Sequence, residues 1–375
     1  MKIVLSPDSF KGSLSSIEVS EIMRRAFLNA EGNVETVLKP MADGGEGTLE
    51  TLAKGTNHQK IHFPCIGPLG EERESWYLQL NQKLVVIEGA NIAGLPLISE
   101  EKRNPDHTTT FGIGQAIQHA LDKGHRDFIV AIGGSSTNDG GMGMLQALGM
   151  KAFTKVGEEV GIFGKDVLDI ERVDFSSIDS RLLESTIRIA SDVDNPLTGP
   201  RGASHIYGPQ KGATEEQVLT YDQALERYGL LLEEECGKQL RTTPGAGAAG
   251  GLGFAFLSIG AKLESGAKLV AEAIQLEDEI KQADLIITGE GQSDEQTLFG
   301  KAPGYVAELA RKHKKPVVLL SGSLDGDVEK LNELFTSCFS IVPGPRSLKD
   351  CMDHAEEFLY HASQQIARFT LRKIH

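Results

Sequence analysis

The chain has 375 residues, 40% hydrophobic and 24% charged, the make-up of a folded protein too long for one small core. Its formal net charge of -15 argues against nucleic acid, whose phosphates are met by clustered Lys and Arg. No apolar run is long enough for a bilayer span or a signal-peptide core, and Cys65, Cys236, Cys338 and Cys351 lack metal or disulfide-framework spacing; a reducing cytoplasm is expected.

In chain order, the start reads β-α-β-α. Lys2–Leu5 is a strand, followed by the loop Ser6-Pro7-Asp8-Ser9-Phe10-Lys11-Gly12-Ser13. Ser15 and Glu18 stand in capping-box register, and Ile22, Met23, Ala26, Phe27 and Ala30 form the apolar face of the helix they open. Residues 34–38 are a second strand, ending in Pro40-Met-Ala-Asp43-Gly44-Gly45-Glu46-Gly47-Thr48 ahead of a short helix. From about residue 60 to 97 the texture becomes β-rich, with strands over 61–63, 76–80 and 84–87. A helix after Thr108-Thr-Thr110 then leads into Phe128-Ile-Val-Ala-Ile-Gly133-Gly134-Ser135-Ser136-Thr137-Asn138-Asp139-Gly140-Gly141, a buried strand, a glycine turn and a polar cluster before the helical pattern of Met142, Leu145 and Leu148. Strand, glycine turn, helix is a layout in which backbone N–H groups can hold a phosphate.

Residues 187–190 form a strand ending in Ser191-Asp192-Val193-Asp194-Asn195-Pro196, and Thr214 with Gln217 opens a long helix. The end is α/β again: strands over 285–287, 317–320 and 339–342, a helix from near Pro303 and a terminal helix. The expected fold class is therefore α/β with two α/β domains. A Rossmann- or flavodoxin-like parallel-sheet domain, residues 1–63 and 280–375, is split by an inserted mixed α/β domain, residues 64–279, with a cleft between them.

The unusual polar clusters all follow expected strands: residues 8–11, 43–46, 135–139, 192–195, 290–294 and 321–323. Ligands of open α/β sheets bind outside the carboxyl ends of strands. Turn chemistry accounts for Gly, Ser and Asp there, but less well for Lys11, Glu46 and Glu290. Glycine loops, carboxylates for Mg²⁺ and a few lysines suit phosphoryl transfer.

Asp192 directly follows its strand and is the better candidate of its pair; Asp194, before Asn195-Pro196, reads as a turn residue. Lys11 is well placed for an anionic substrate. Asp8 either accepts a proton from an attacking hydroxyl or caps the turn. Asp43 suits a metal or substrate hydroxyls, and Glu46 equally suits a first-turn helix charge. Gly300-Lys301 invites a Walker A reading that fails, with Glu295 and Ala302 at the positions requiring Gly and Ser or Thr. Gly245-Ala-Gly247-Ala-Ala-Gly250 matches G-x-G-x-x-G without a preceding buried strand, so it reads as a flexible or close-packed segment, or a second phosphate-facing loop.

At these residues the chain resembles the bacterial glycerate kinases of the type-1 family. The matching segments are Asp8-Ser-Phe-Lys-Gly-Ser13, Met41-Ala-Asp-Gly-Gly-Glu-Gly-Thr48, Ile132-Gly-Gly-Ser-Ser-Thr-Asn-Asp-Gly-Gly141, Ser191-Asp-Val-Asp-Asn-Pro-Leu-Thr-Gly-Pro200 and Gly289-Glu-Gly-Gln-Ser-Asp294, in order across nearly the whole chain. The resemblance implies ATP-dependent phosphorylation of D-glycerate, most readily to 2-phosphoglycerate, by a two-domain enzyme that closes around its substrates. With the residue reading, it implies catalytic Asp192, Lys11 and Asp8. Gly133, Gly134, Ser135, Ser136, Asn138, Gly291 and Ser293 would hold ATP, Ser9, Asp43 and Glu46 glycerate, and Asp192 and Asp139 Mg²⁺. Small-molecule substrates, no nucleic acid and no membrane are expected as partners, and the sequence leaves room for a homo-oligomer. The rivals are a 3-phosphoglycerate-forming kinase or one acting on another small hydroxy acid, a nucleotide-dependent oxidoreductase, and a non-enzymatic binding protein.

Overall fold

The structure, a computed structural model, describes residues 1–30, 34–298 and 300–371. Contacts within the chain gather into two compact units. The first comprises Met1–Asp43, Glu50–Thr56 and Ser265–His375; the second comprises Gly44–Leu49 and Asn57–Glu264.

The first unit is built on a five-stranded sheet whose neighbours are all parallel: Ser337–Ser340, Val317–Ser321, Leu285–Thr288, Lys2–Leu5 and Glu35–Leu38. Numbered along the chain this is order 2-1-3-4-5, the flavodoxin-like doubly wound arrangement. Val317–Ser321 and Leu285–Thr288 are buried at every position, as expected of strands covered on both faces. Helix Ser16–Leu28 starts at the Ser15–Glu18 capping box, worth about 1 kcal/mol, and buries Val19, Ile22, Met23, Ala26 and Phe27. That face joins Ile3, Leu5, Ile287 and Leu320 in one core.

The second unit holds a six-stranded mixed sheet, in the order Lys262–Glu264, Thr186–Ala190, Asp127–Ala131, Leu84–Glu88, Glu72–Leu80 and His58–Ile66. Its first four strands are parallel, and the last two add an antiparallel hairpin. The core packs Val85, Ile87, Phe128 and Val130 with Ile113, Ile117, Leu145 and Phe254.

The expected boundary at 63/64 falls inside His58–Ile66, which pairs along its whole length with Glu72–Leu80 and cannot be cut there. The expected boundary at 279/280 likewise falls inside helix Leu276–Gln282, and the last segment of the first unit begins at Ser265. The last strand, expected over 339–342, sits at Ser337–Ser340, because its register against Val317–Ser321 is set by pairing rather than by local hydrophobicity. Strand Lys262–Glu264, at the sheet edge, has no counterpart in the sequence reading, being too short and polar to show a period. Among the described residues no helix is long and apolar enough to cross a membrane.

Candidate active site

In the first unit the strand order reverses between Lys2–Leu5 and Leu285–Thr288, so the loops leaving these two strands flank a topological switch point. They are knitted together: Asp8 N–H donates to the Gly289 carbonyl at 2.8 Å, and Thr288 Oγ1 donates to the Ser6 carbonyl at 2.8 Å. A β-carbon at Gly291 would lie 3.3 Å from Lys11 N, so the two loops touch backbone to backbone. Met41 N–H donates to the Pro7 carbonyl at 2.8 Å, which brings in Asp43, and Lys11 Nζ stands 3.0 Å from Asp43 Oδ2.

Asp8 is only 8% exposed, and its Oδ1 accepts from Ser9 N–H at 2.7 Å. Burial, reinforced by the nearby Asp43 carboxylate, raises its pKa to about 7, the range of a general base working at neutral pH. The Asp43 carboxylate raises the Lys11 ammonium above its ordinary value, and Lys11, which is exposed, keeps its charge. Burial also raises Glu290, whose Oε1 accepts from Ser293 Oγ at 3.1 Å and Thr297 Oγ1 at 2.7 Å. Ser293 Oγ lies 2.7 Å from Ser321 Oγ, and Lys301 Nζ lies 3.9 Å from Glu290 and 3.7 Å from Asp294. The expected residues Asp8, Ser9, Lys11, Asp43, Gly291 and Ser293 thus share one set of strand-end loops.

In the second unit the loop after Asp127–Ala131 lies beside the segment holding Glu46. Gly133 N–H donates to the Gly44 carbonyl at 3.2 Å, and a β-carbon on Gly133 would sit 2.8 Å from Gly45 Cα. Only glycine allows this approach. Gly44 in turn packs on Ala190, the last residue of strand Thr186–Ala190, and exposed Asp192 stands just beyond it. Asp194 is paired with Arg201 at 2.8 Å. Gly133, Gly134, Glu46 and Asp192 are therefore grouped at the carboxyl ends of parallel strands.

Several other polar groups of that loop are bonded within the protein, while Thr137 Oγ1 and Asn138 Oδ1 are buried without a hydrogen-bond partner. Ser136 Oγ and N–H both donate to the Ala93 carbonyl at 2.9 Å, and Asn138 Nδ2 donates to Ser204 Oγ at 3.0 Å. Asp139, expected as a metal ligand, is 0% exposed. Its carboxylate accepts from Thr110 N–H, Thr110 Oγ1, Gly141 N–H and Gly143 N–H, joining the starts of two helices, and burial raises its pKa. With its lone pairs taken and no route to solvent, it fits a structural acceptor and not a cation site.

The Gly245-Ala-Gly-Ala-Ala-Gly250 match is a close-packing device. Ala249, Gly250 and Gly251 are all left-handed, Gly140 N–H donates to the Gly250 carbonyl at 3.0 Å, and a β-carbon at Gly250 would lie 2.1 Å from the Thr137 carbonyl oxygen. This backbone contact leaves no place for a pyrophosphate, and with it goes the main support for an oxidoreductase.

Two residues escaped the sequence reading. Glu88, at the end of Leu84–Glu88, accepts from Gly47 N–H at 3.2 Å and Leu49 N–H at 2.9 Å, fixing the loop that carries Glu46; its strand-end position was the available signal. Lys211 is 2% exposed and donates to Ser135 Oγ at 2.9 Å and the Thr137 carbonyl at 2.6 Å, and burial pulls its pKa down to about 7. Its setting, Pro209-Gln-Lys-Gly212, reads as an ordinary solvated turn.

Among the described residues no group of three or more His, Cys, Asp or Glu is arranged to hold a metal ion.

A doubly wound α/β domain with a buried carboxyl group beside a lysine at its switch point is suited to phosphoryl transfer. The Glycerate kinase family profile matches residues 3–371. The chain is 42% identical to the glycerate kinase of Bacillus subtilis (strain 168) over 370 residues, 98% of this chain and 97% of the relative. It is 41% identical to the glycerate 2-kinase of Escherichia coli (strain K12) over 370 residues, again 98% and 97%. A solved structure described as a glycerate kinase 2 from Salmonella typhimurium LT2 superposes with a TM-score of 0.87 at 38% identity, covering 99% of this chain and 98% of that one. The chain belongs to the glycerate kinase family and is a kinase, with ATP the phosphoryl donor that membership implies.

Proposed function

We propose that the protein transfers the γ-phosphoryl group of ATP to the 2-hydroxyl of D-glycerate, giving 2-phosphoglycerate and ADP. The C2 oxygen attacks the γ-phosphorus, its bond to phosphorus forms as the bond to the β,γ-bridging oxygen breaks, and the hydroxyl proton passes to Asp8. The observation that carries this reading is Asp8 itself, a buried carboxyl group with a pKa raised to about 7 beside Lys11 and Asp43. Support for the 2-hydroxyl comes from the 41% identical Escherichia coli relative, a glycerate 2-kinase.

Lys11 and Ser9 hold the glycerate carboxylate or the transferring phosphoryl group, and Asp43 and Glu46 engage substrate hydroxyls. Gly133, Gly134 and Ser135, with Gly291 and Ser293, receive the ATP phosphates; Ser136 and Asn138 shape the first loop from behind. Magnesium supplies neutralisation of the charge developing on the phosphates, and exposed Asp192 is the side chain that would hold it. Asp8 is the base in this reading, because its buried carboxyl group has the raised pKa that proton acceptance near neutrality needs. Most of the acceleration comes from positioning and charge stabilisation. The single cleft expected from the sequence and a cytoplasmic location are parts of this proposal, the latter in keeping with four free thiols.

The test is ADP release coupled to an optical readout with D-glycerate, L-glycerate and glycerol as acceptors, followed by NMR of the product. Turnover confined to D-glycerate with phosphate on C2 is expected. A C3 phosphate would overturn the regiochemistry, and absence of glycerate-dependent ADP release would overturn the activity.

A further inference from the structure

The loop over residues 133–141 is held from two opposite sides at one carbonyl. On one side the left-handed turn at Ala249, Gly250 and Gly251 lies so close that no β-carbon fits between Gly250 and the Thr137 oxygen. On the other side that same oxygen accepts from Lys211 Nζ at 2.6 Å, and the ammonium also reaches Ser135 Oγ at 2.9 Å. Both bonds are shielded from water and are charge-assisted when the amine holds its proton, a state that burial opposes and the nearby Asp139 carboxylate favours. Lys211 comes from a different element altogether, the turn Pro209–Lys211 between helix Ala203–Tyr207 and helix Glu215–Cys236. Its ammonium lies 6.0 Å from the centroid of the Tyr207 ring, and helix Ala203–Tyr207 also supplies Ser204, the partner of Asn138.

A buried lysine bound to a neutral hydroxyl and a carbonyl is expensive to keep. A neutral donor such as Gln or Ser would satisfy the same acceptors at less cost. What a lysine adds is the capacity for positive charge at Ser135, the residue that follows half-buried Gly133 and exposed Gly134.

We propose that Lys211 is a positioning residue for nucleotide binding: it fixes the conformation of residues 135–137 and, in its protonated form, adds positive charge at Ser135 for the ATP phosphates. This rests on the assignment of that loop to ATP. It acts through Ser135 and the Thr137 carbonyl and touches no reacting atom.

The experiment compares Lys211→Met and Lys211→Gln with the native enzyme, measuring KM for ATP, KM for D-glycerate, kcat and the melting temperature. Lys211→Met should raise KM for ATP about tenfold or more while KM for D-glycerate moves less than about twofold. Lys211→Gln, which keeps a donor without the charge, should recover only part of the loss. A lowered melting temperature with both KM values unchanged would make Lys211 a purely structural residue and overturn the inference. A rise in KM for D-glycerate alone would keep the positioning role but refute the nucleotide assignment of the loop, separating the two claims. Should Lys211→Met fail to fold, hydrogen exchange on Lys211→Gln decides: faster exchange over residues 133–141, reversed by ATP, supports the inference, and native exchange there overturns it.

Discussion

The N–H of Asp8 donates to the carbonyl of Gly289 at 2.8 Å, joining a loop near the start of the chain to one from its final third. This bond ties the two loops at the switch point: the Asp8 backbone is held while its carboxyl group is buried, and Glu290 and Gly291 lie near Lys11.

Asp8→Asn should lower kcat by about a hundredfold or more, the usual worth of a positioned general base, with little change in ATP affinity. In the native enzyme kcat/KM should rise through about pH 7 as Asp8 ionises, and the variant should lack that limb. Stability moves the other way. Because the folded pKa of about 7 exceeds the ordinary 3.8, the folded state holds the proton more tightly, and this contribution is lost as pH rises through about 7. Asp8→Asn should therefore be stabilised relative to native protein by an amount that grows between about pH 4 and 7, read by urea unfolding at several pH values.

Lys11→Ala should separate activity from stability. Lys11 is exposed, so its pair with Asp43 contributes at most about 1 kcal/mol to folding. Loss of a cation facing an anionic substrate should nonetheless cost about a hundredfold in kcat/KM for D-glycerate. A variant that keeps near-native turnover would remove Lys11 from the site.

Asp192→Asn and Asp139→Asn should part company over magnesium. The first should fold normally and need a higher Mg²⁺ concentration for half-maximal rate. The second should keep its Mg²⁺ requirement but lose stability, by about 1–3 kcal/mol, because an amide cannot serve all four donors that converge on Asp139. An Asp139→Asn protein of native stability with a raised Mg²⁺ requirement would restore Asp139 as a ligand.

Glu88→Ala should leave Gly47 N–H and Leu49 N–H without their acceptor and destabilise the protein by about 1–3 kcal/mol. Through the loop it anchors, it should also raise KM for D-glycerate if Glu46 engages that substrate. Thermal unfolding and steady-state kinetics read the two effects independently.

Much of this architecture is legible locally. Ser15 with Glu18 and Thr214 with Gln217 mark helix starts that both form as capping boxes. The alternation of strands with polar loops places Asp8, Lys11, Asp43 and Glu290 at strand ends, where the structure has them. Local pattern fails where a residue's role depends on what is packed against it. Asp139 and Asp192 look alike in sequence, each an Asp after a strand in a polar run. One is sealed among four donors and the other is exposed. Gly245-Ala-Gly-Ala-Ala-Gly250 looks like a ligand loop, yet its partner is the backbone of residues 137–140.

The amino-acid sequence by itself determined the fold class, the family and the loops that carry polar chemistry, because hydrophobic period, caps and glycine turns act within a few residues. Only the tertiary structure decided the strand order 2-1-3-4-5 that lays the Asp8 loop against Gly289. It likewise decided the burial that lifts Asp8 to about 7 and the placement of Lys211 behind Ser135. Those are properties of pairings between distant segments, and burial and electrostatic neighbours arise only once such segments have met.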